Sequence, residues 1–90
     1  MKVTIKLPGI LKEAIGTGKI KVDAQTLQRA LDEACRIEPA LKFHLFDDNG
    51  MFREHILCFH NSSNTRNLTS LNVSLADGDE ITIVQAISGG

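Results

Sequence analysis

The sequence has no tryptophan or tyrosine, only two cysteines and two prolines, and no long apolar run. A membrane-spanning helix needs about eighteen or more apolar residues in succession, and none occur. The segment before Pro8 has lysines where a signal peptide needs an apolar centre. We therefore expect a cytoplasmic protein without a membrane partner, in which Cys35 and Cys58 are reduced thiols packed as small apolar groups.

An excess of charge of one sign is also missing. Ten basic and eleven acidic residues are mixed along the chain and give a formal net charge of -1, so no basic stripe offers a surface for a phosphate backbone. The sequence also lacks a phosphate loop, a Ser/His/Asp set and a pair of catalytic carboxylates. We expect no nucleic-acid binding and no catalysis by this chain, which would instead serve enzymes as a protein cosubstrate.

Residue spacing argues against a metal site as well. His55, Cys58 and His60 lie close in sequence, but on a strand His55 and Cys58 face opposite ways. A calcium loop opening at Asp47 would need an oxygen ligand where Met51 stands. We predict no metal ligands, no bound cofactor, and a simple turn after Asp47.

Period-two alternation of apolar and polar residues marks two strands near the start of the chain. Residues 2–7 alternate until Pro8, and residues 19–22 alternate again after a glycine-rich break. The second strand is expected to run antiparallel to the first. Residues 10–15 between them fit one helical turn.

One helix is predicted in the middle of the chain. Thr26 can cap a helix over residues 27–37, which Pro39 stops. The stripe that this helix buries has i, i+3, i+4, i+7 spacing and comprises Leu27, Ala30, Leu31 and Ala34. Residues 40–54 are expected to form a short helical turn and a loop.

The second half of the chain predicts two longer strands. Residues 55–60 are β-prone and apolar on both faces, and residues 80–86 alternate after the turn at residues 77–79. A short extra strand is expected near Thr65. The predicted fold class is α+β, with one sheet of four to five strands and one main helix.

The last residues suggest how the protein works. Residues 1–86 are predicted to form the domain and residues 87–90 a flexible carrier tail, which extends at most ~14 Å beyond the last strand. Gly89 and Gly90 lack a Cβ, so the tail, with Ser88, can thread a narrow channel in another protein. ATP-dependent activation of the Gly90 carboxylate would give an acyl-adenylate, and attack by sulfide or persulfide would then leave a thiocarboxylate.

The segment from Leu75 to Val84, LADGDEITIV, followed by QAISGG, resembles the signature of the MoaD/ThiS family of sulfur-carrier proteins. The resemblance implies a β-grasp, ubiquitin-like fold with a mixed sheet, in which the first and last strands are adjacent and parallel. It also implies three kinds of partner: an E1-like enzyme that adenylates Gly90, a sulfur donor, and a biosynthetic enzyme that accepts the sulfur. Residues 85–88 depart from the proline-bearing, alanine-rich tail that is common in the family.

The predicted strand at residues 55–60 is apolar on both faces. The main helix covers one of them, and the other has no predicted partner within the chain. Leu57 and Phe59 lie on that face, and with Val84 they are predicted to form a patch that docks on partner enzymes. The alternative is that Phe43 or Phe46 from the preceding loop covers this face.

Three functions stay open from the sequence. The first is a sulfur carrier for molybdopterin, cysteine or methionine biosynthesis, with thiazole-type carriers less favoured because residues 40–54 form an insertion-like loop. The second is a ubiquitin-like modifier, in which a lysine amine captures activated Gly90. The third is a β-grasp binding module whose last two glycines are incidental.

Overall fold

The computed structural model describes residues 1–66 and 68–86. Strands and helices alternate as far as the second helix, and the final strand follows a long irregular segment. The elements are β1 (Lys2–Lys6), α1 (Gly9–Ile15), β2 (Lys19–Asp23), α2 (Leu27–Ile37), α3 (Ala40–Leu45), β3 (Ile56–His60), β4 (Ser63–Asn64) and β5 (Glu80–Gln85).

These strands form one mixed sheet in the order β2-β1-β5-β3-β4. β1 pairs antiparallel with β2, β5 pairs parallel with β1, and β3 pairs antiparallel with both β5 and β4. The last strand in the sequence therefore lies in the middle of the sheet beside the first. This arrangement confirms the predicted α+β class and the β-grasp topology.

Helix α2 covers one face of the sheet. Its buried residues are the four with the predicted spacing, Leu27, Ala30, Leu31 and Ala34. They pack against the inward side chains of the strands, which alternate with exposed ones as a half-buried sheet requires. The inward residues of the strands are Val3, Ile5, Ile20, Val22, Ile56, Cys58, Ile81 and Ile83.

Local signals set the ends of the helices. Thr26 caps α2 by accepting a hydrogen bond from the Arg29 N–H to Oγ1 at 3.2 Å, which satisfies one of the free donors of the first turn. Helix α1 runs for seven residues, longer than the single turn predicted, and ends at Gly16 with φ 98°. Glycine suits that left-handed conformation because it has no Cβ.

Replacement of Thr26 by alanine is expected to lower the free energy of unfolding by about 1 kcal/mol. The Arg29 N–H would lose its acceptor, while the buried face of α2 would stay unchanged. Urea denaturation of the variant checks this, with Ser62→Ala as control because the Ser62 side chain is exposed and lies outside the helices. Equal urea midpoints for Thr26→Ala and Ser62→Ala would contradict the role of Thr26 as a helix cap.

The segment between α3 and β3 folds back on itself. The Asp47 N–H donates to the Met51 carbonyl, and Asp47 Oδ1 accepts the N–H groups of Asn49 and Met51 at 2.9 and 3.1 Å. The rings of Phe46 and Phe52 stack with centroids 4.9 Å apart. The predicted turn after Asp47 is thus the tip of a small closed loop.

Among the described helices, none is long and apolar enough to cross a membrane.

Candidate functional site

The strand that leads to the predicted carrier tail is held on both sides. β5 pairs with β1 from Glu80 to Thr82 and with β3 as far as Gln85. The Ala86 N–H then donates to the His55 carbonyl at 2.8 Å, so the described backbone is fixed until the residue before the tail. The predicted activation residue Gly90 and the threading residues Gly89 and Ser88 lie outside the described residues.

The start of β5 is held by the carboxylate of Asp79. His60 Nε2 donates to Asp79 Oδ2 at 2.8 Å, and the Ala76 N–H donates to the same oxygen at 2.9 Å. The Asn61 amide donates to Asp79 Oδ1 at 3.2 Å, while Asn61 Oδ1 accepts the Glu80 N–H at 2.9 Å. This polar cluster joins the end of β3 to the beginning of β5.

The same turn is tied to β1. Asp77 Oδ1 accepts the Lys2 N–H at 2.8 Å, and the Gly78 N–H donates to the Lys2 carbonyl at 2.9 Å. Gly78 has φ 87°, a conformation that side chains with a Cβ rarely adopt. The turn at residues 77–79 therefore fixes the register in which β5 enters the sheet.

Hydrogen bonds keep Asp79 ionised. The bond from His60, followed by those from the Ala76 N–H and the Asn61 amide, lowers the pKa of Asp79 to about 2. Because this folded-state pKa lies below the value of about 3.9 for a free aspartate, Asp79 stabilises the fold above about pH 4. That contribution is lost as the pH falls through the folded-state pKa.

We expect the Asp79→Asn variant to be less stable than the wild type at neutral pH and nearly as stable near pH 2. Near pH 2 the Asp79 carboxylate is about half protonated in the folded wild type and almost fully protonated in the unfolded chain, so little of the stabilisation by its charge remains. Urea denaturation at a series of pH values measures the difference in free energy of unfolding. A difference that stays constant from neutral to acid pH would contradict the role of the Asp79 charge.

The predicted docking residues lie together on the face of the sheet opposite α2. Leu57 is directly across from Val84 in the β3 to β5 pairing, and Phe59 is across from Thr82. Leu57 and Phe59 are half-buried, and Val84 is 37% exposed. We call Leu57, Phe59 and Val84 the outer patch. Lys6 on β1 borders the outer patch. Its Nζ lies 2.8 Å from Oε2 of Glu80.

The two phenylalanines offered as an alternative cover lie elsewhere in the fold. Phe43 is 72% exposed on α3, and Phe46 stacks on Phe52 and packs against the core. The outer patch keeps Val84 open to solvent, and its docking role stays a prediction.

The remaining candidate ligands do not converge. Among residues 1–66 and 68–86, no group of three or more His, Cys, Asp or Glu side chains is placed to hold a metal ion. Cys58 is buried, and burial raises its thiol pKa to about 11. Cys35 is half-buried, and burial followed by the charge of Asp32 raises its thiol pKa. Neither thiol has the lowered pKa of a reactive cysteine.

The family model that matches this chain is that of the ThiS family, over residues 5–90. The chain belongs to the ThiS family. The expected family resemblance is thereby confirmed, and with it membership of a group of ubiquitin-like sulfur carriers and modifiers.

Similar proteins align with nearly the whole length of this ThiS-family chain. Small archaeal modifier protein 1 of Haloferax volcanii is 32% identical in an alignment 88 residues long that covers 94% of this chain and 97% of the relative. Its crystal structure covers 100% of both chains with a TM-score of 0.84 and 30% identity. The solution structure of small archaeal modifier protein 1 from Methanosarcina acetivorans covers 99% of this chain and 96% of that chain, with a TM-score of 0.83 and 30% identity.

A further neighbour was solved with a partner. CysO in the BexX/CysO complex of Amycolatopsis orientalis is 25% identical, with a TM-score of 0.81 over 98% of this chain and 99% of that chain. The relatives from H. volcanii and M. acetivorans are small modifier proteins by name, which agrees with the expectation that this chain serves as a protein cosubstrate.

His60, Asn61 and Asp79 are site residues that reasoning from the sequence did not assign. The sequence signals were the turn at residues 77–79 and the polar end of the strand at residues 59–61. Neither signal indicated that the two segments meet, because His60 and Asp79 are nineteen positions apart in the sequence.

Proposed function

We propose that this protein is a cytoplasmic sulfur carrier that is activated at Gly90 by an E1-like adenylating enzyme. The observation that carries the proposal is the fixed path of β5, which is hydrogen-bonded up to Ala86 and is followed by a tail that ends in two glycines. A tail that starts from a rigid strand presents its reactive group at a limited distance from the domain. The ThiS-family match, which continues to residue 90, supports the same role for the tail.

The proposed chemistry takes place in partner enzymes. The Gly90 carboxylate attacks the α-phosphorus of ATP and displaces pyrophosphate, giving an acyl-adenylate. Bisulfide then attacks the acyl carbon and displaces AMP, which leaves a thiocarboxylate with one oxygen replaced by sulfur. This chain contributes the reacting carboxylate, the narrow tail and the surface by which partners hold it, and it binds no cofactor of its own.

The thiocarboxylate would next donate sulfur to a biosynthetic enzyme. We infer that the acceptor belongs to molybdopterin synthesis or to cysteine or methionine synthesis, and that it docks on the outer patch. The similarity to CysO, which was solved in complex with BexX, supports a carrier that works by binding another protein.

Mass spectrometry of the intact protein tests this proposal. After incubation with the adenylating enzyme of its host, ATP and sulfide, we expect a mass gain that equals replacement of one oxygen by sulfur, and none without ATP. Tandem fragmentation should place the sulfur on Gly90. An unchanged mass with an enzyme that adenylates the chain would contradict the carrier role.

A second function, protein modification, is favoured by one comparison. The H. volcanii relative, at 32% identity over nearly its whole length, is a modifier protein by name. Both functions use the Gly90 adenylate and differ in the nucleophile, which is an amine for modification. Host extracts probed with antibody to this chain would then contain covalent conjugates of higher mass that disappear when Gly90 is deleted.

A further inference from the structure

The outer surface of β1 and β2 is rich in lysine. The apolar residues of both strands point into the core, so the residues between them point to the face of the sheet opposite α2. Four of the six lysines in the chain occupy these outward positions. We call these four, Lys2, Lys6, Lys19 and Lys21, the lysine face. The net charge of the whole chain is -1, so this excess of positive charge is local.

The lysine face is continuous with the outer patch. Lys19 lies across from Lys6, and Lys6 lies across from Thr82. Thr82 in turn lies across from Phe59. One row of side chains therefore crosses the sheet, with a charged end on β2 and an apolar end on β3. Three strand spacings separate the two ends, which is about 14 Å at the backbone.

Carboxylates on the same face balance only part of this charge. The outward positions of β1, β2 and β5 hold two of them, Asp23 and Glu80. Glu80 Oε2 lies 2.8 Å from Lys6 Nζ. Asp23 Oδ1 lies 2.8 Å from the N-terminal ammonium of Met1, which is a further positive charge. The lysine face therefore keeps a positive excess.

The register of β1 and β2 places two of these charges directly opposite each other. Lys6 is across from Lys19, and like charges in this position destabilise a sheet. β2 is an edge strand, where a charged side chain discourages pairing with other chains. A carboxylate at position 19 would provide that protection as well and would attract Lys6. The isolated fold thus gains nothing from a positive charge at this position, whereas an approaching carboxylate would relieve the repulsion.

A shallow groove with a volume of about 440 Å³ lies farther along the lysine face. Lys2, Thr4, Lys21 and Asp23 line it. Thr4 is half-buried and lies across from Lys21. A threonine hydroxyl and a lysine ammonium both donate hydrogen bonds to a carboxylate. The groove therefore offers an acidic side chain two kinds of donor.

The combination of charge and apolar surface fits a protein better than a membrane. Anionic lipid surfaces are typically bound by clusters of about four to eight basic residues, whereas two carboxylates lie among the four lysines here. Leu57 and Phe59 are half-buried in the sheet, so they cannot insert deeply between lipids. The complement of this face is a protein surface that has an apolar contact with carboxylates to one side of it.

We propose that the lysine face binds carboxylates on the enzyme that activates Gly90, about 14 Å from the contact of that enzyme with the outer patch. This inference rests on the proposed function, which supplies the enzyme. β5 runs parallel to β1, so the end of β5 that leads to the tail lies where β1 ends and β2 begins. An enzyme that takes the tail therefore approaches Lys6 and Lys19. Attraction of this kind acts mainly on the rate of association.

Surface plasmon resonance with the immobilised adenylating enzyme of the host tests the proposal on the full chain. Lys19→Glu and Lys21→Glu are each expected to lower the association rate constant by about fivefold at low salt. The difference from the wild type should vanish near 1 M salt, where the Debye length is about 3 Å. The measurement needs neither ATP nor sulfide. A chain that docks through its lysines but never gains sulfur would therefore contradict the carrier role alone.

Arg29→Glu is the matched control. Arg29 is exposed on α2, on the other side of the sheet, so the same change of charge should leave the association rate unchanged. The thermal midpoint of Lys19→Glu should not fall, because the variant places an acid opposite Lys6 and keeps a charge on the edge strand. A slower association of this variant then reports on docking and not on folding.

Three results would overturn the proposal. The first is that the wild-type chain does not bind the adenylating enzyme. The second is that Lys19→Glu and Lys21→Glu associate as fast as Arg29→Glu at low salt. The third is that the wild-type chain, but neither lysine variant, sediments with vesicles made of equal parts of phosphatidylserine and phosphatidylcholine, which would assign the lysine face to a lipid surface.

Discussion

Deletion of Gly90 is expected to lower the rate of thiocarboxylate formation by about 100-fold or more, because a carboxylate displaced by even a small distance no longer meets the activating centre. The tail would still end in a glycine, Gly89, but its carboxylate would lie up to about 3.5 Å short. Intact mass spectrometry after incubation with the adenylating enzyme, ATP and sulfide measures the rate. The thermal midpoint should not change, since the described core ends before the tail.

The Gly90→Ala variant separates tail length from the need for glycine. It restores the position of the carboxylate and adds one Cβ to the part of the tail that must thread the partner. We expect it to stay well below the wild-type rate but above that of the deletion. If the deletion variant reacted as fast as the wild type, the reactive group would not be at Gly90.

Replacement of Ile81 by alanine is expected to lower the free energy of unfolding by about 3 kcal/mol and the thermal midpoint by roughly 15 °C. The Ile81 side chain is 0% exposed. It lies in the central strand, across from Ile5 on one side and His60 on the other. Loss of its side chain would leave a cavity between the sheet and the core that neighbouring residues only partly fill.

Val84→Ala is the matched control on the same strand. Val84 is also β-branched, but it lies on the outer face and is 37% exposed, so its truncation should cost less than about 1 kcal/mol. Differential scanning calorimetry of both variants makes the comparison. Similar losses in the free energy of unfolding for Ile81→Ala and Val84→Ala would mean that the burial of Ile81 does not determine how strongly β5 stabilises the fold.

Local sequence patterns predicted most of the scaffold. The alternation in β1, β2 and β5, the stripe of α2 and the Thr26 cap each depend on residues a few positions apart, and the structure has all of them. The parallel pairing of β1 with β5 was expected only from the family resemblance. Alternation sets which side chains of a strand are buried, and it carries no information on which strands are neighbours.

Features that depend on distant parts of the chain could not be predicted from the sequence. The bond between His60 and Asp79 arises where separate segments of the chain meet. The outer patch was predicted as a set of residues, and its neighbours, such as the pair between Lys6 and Glu80, became known from the fold.

The position of β5 between β1 and β3 also constrains how the protein is made. Thr4 is hydrogen-bonded to the strand that begins at Glu80, so the sheet is completed by contacts between the two ends of the described chain. Such contacts have a high contact order and slow the closing of the domain. During synthesis, the hairpin of β1 with β2 and the later strand β3 would each wait with an open edge until β5 is available to join them. The tail therefore follows directly the segment whose arrival completes folding, and activating enzymes would meet it on a finished domain.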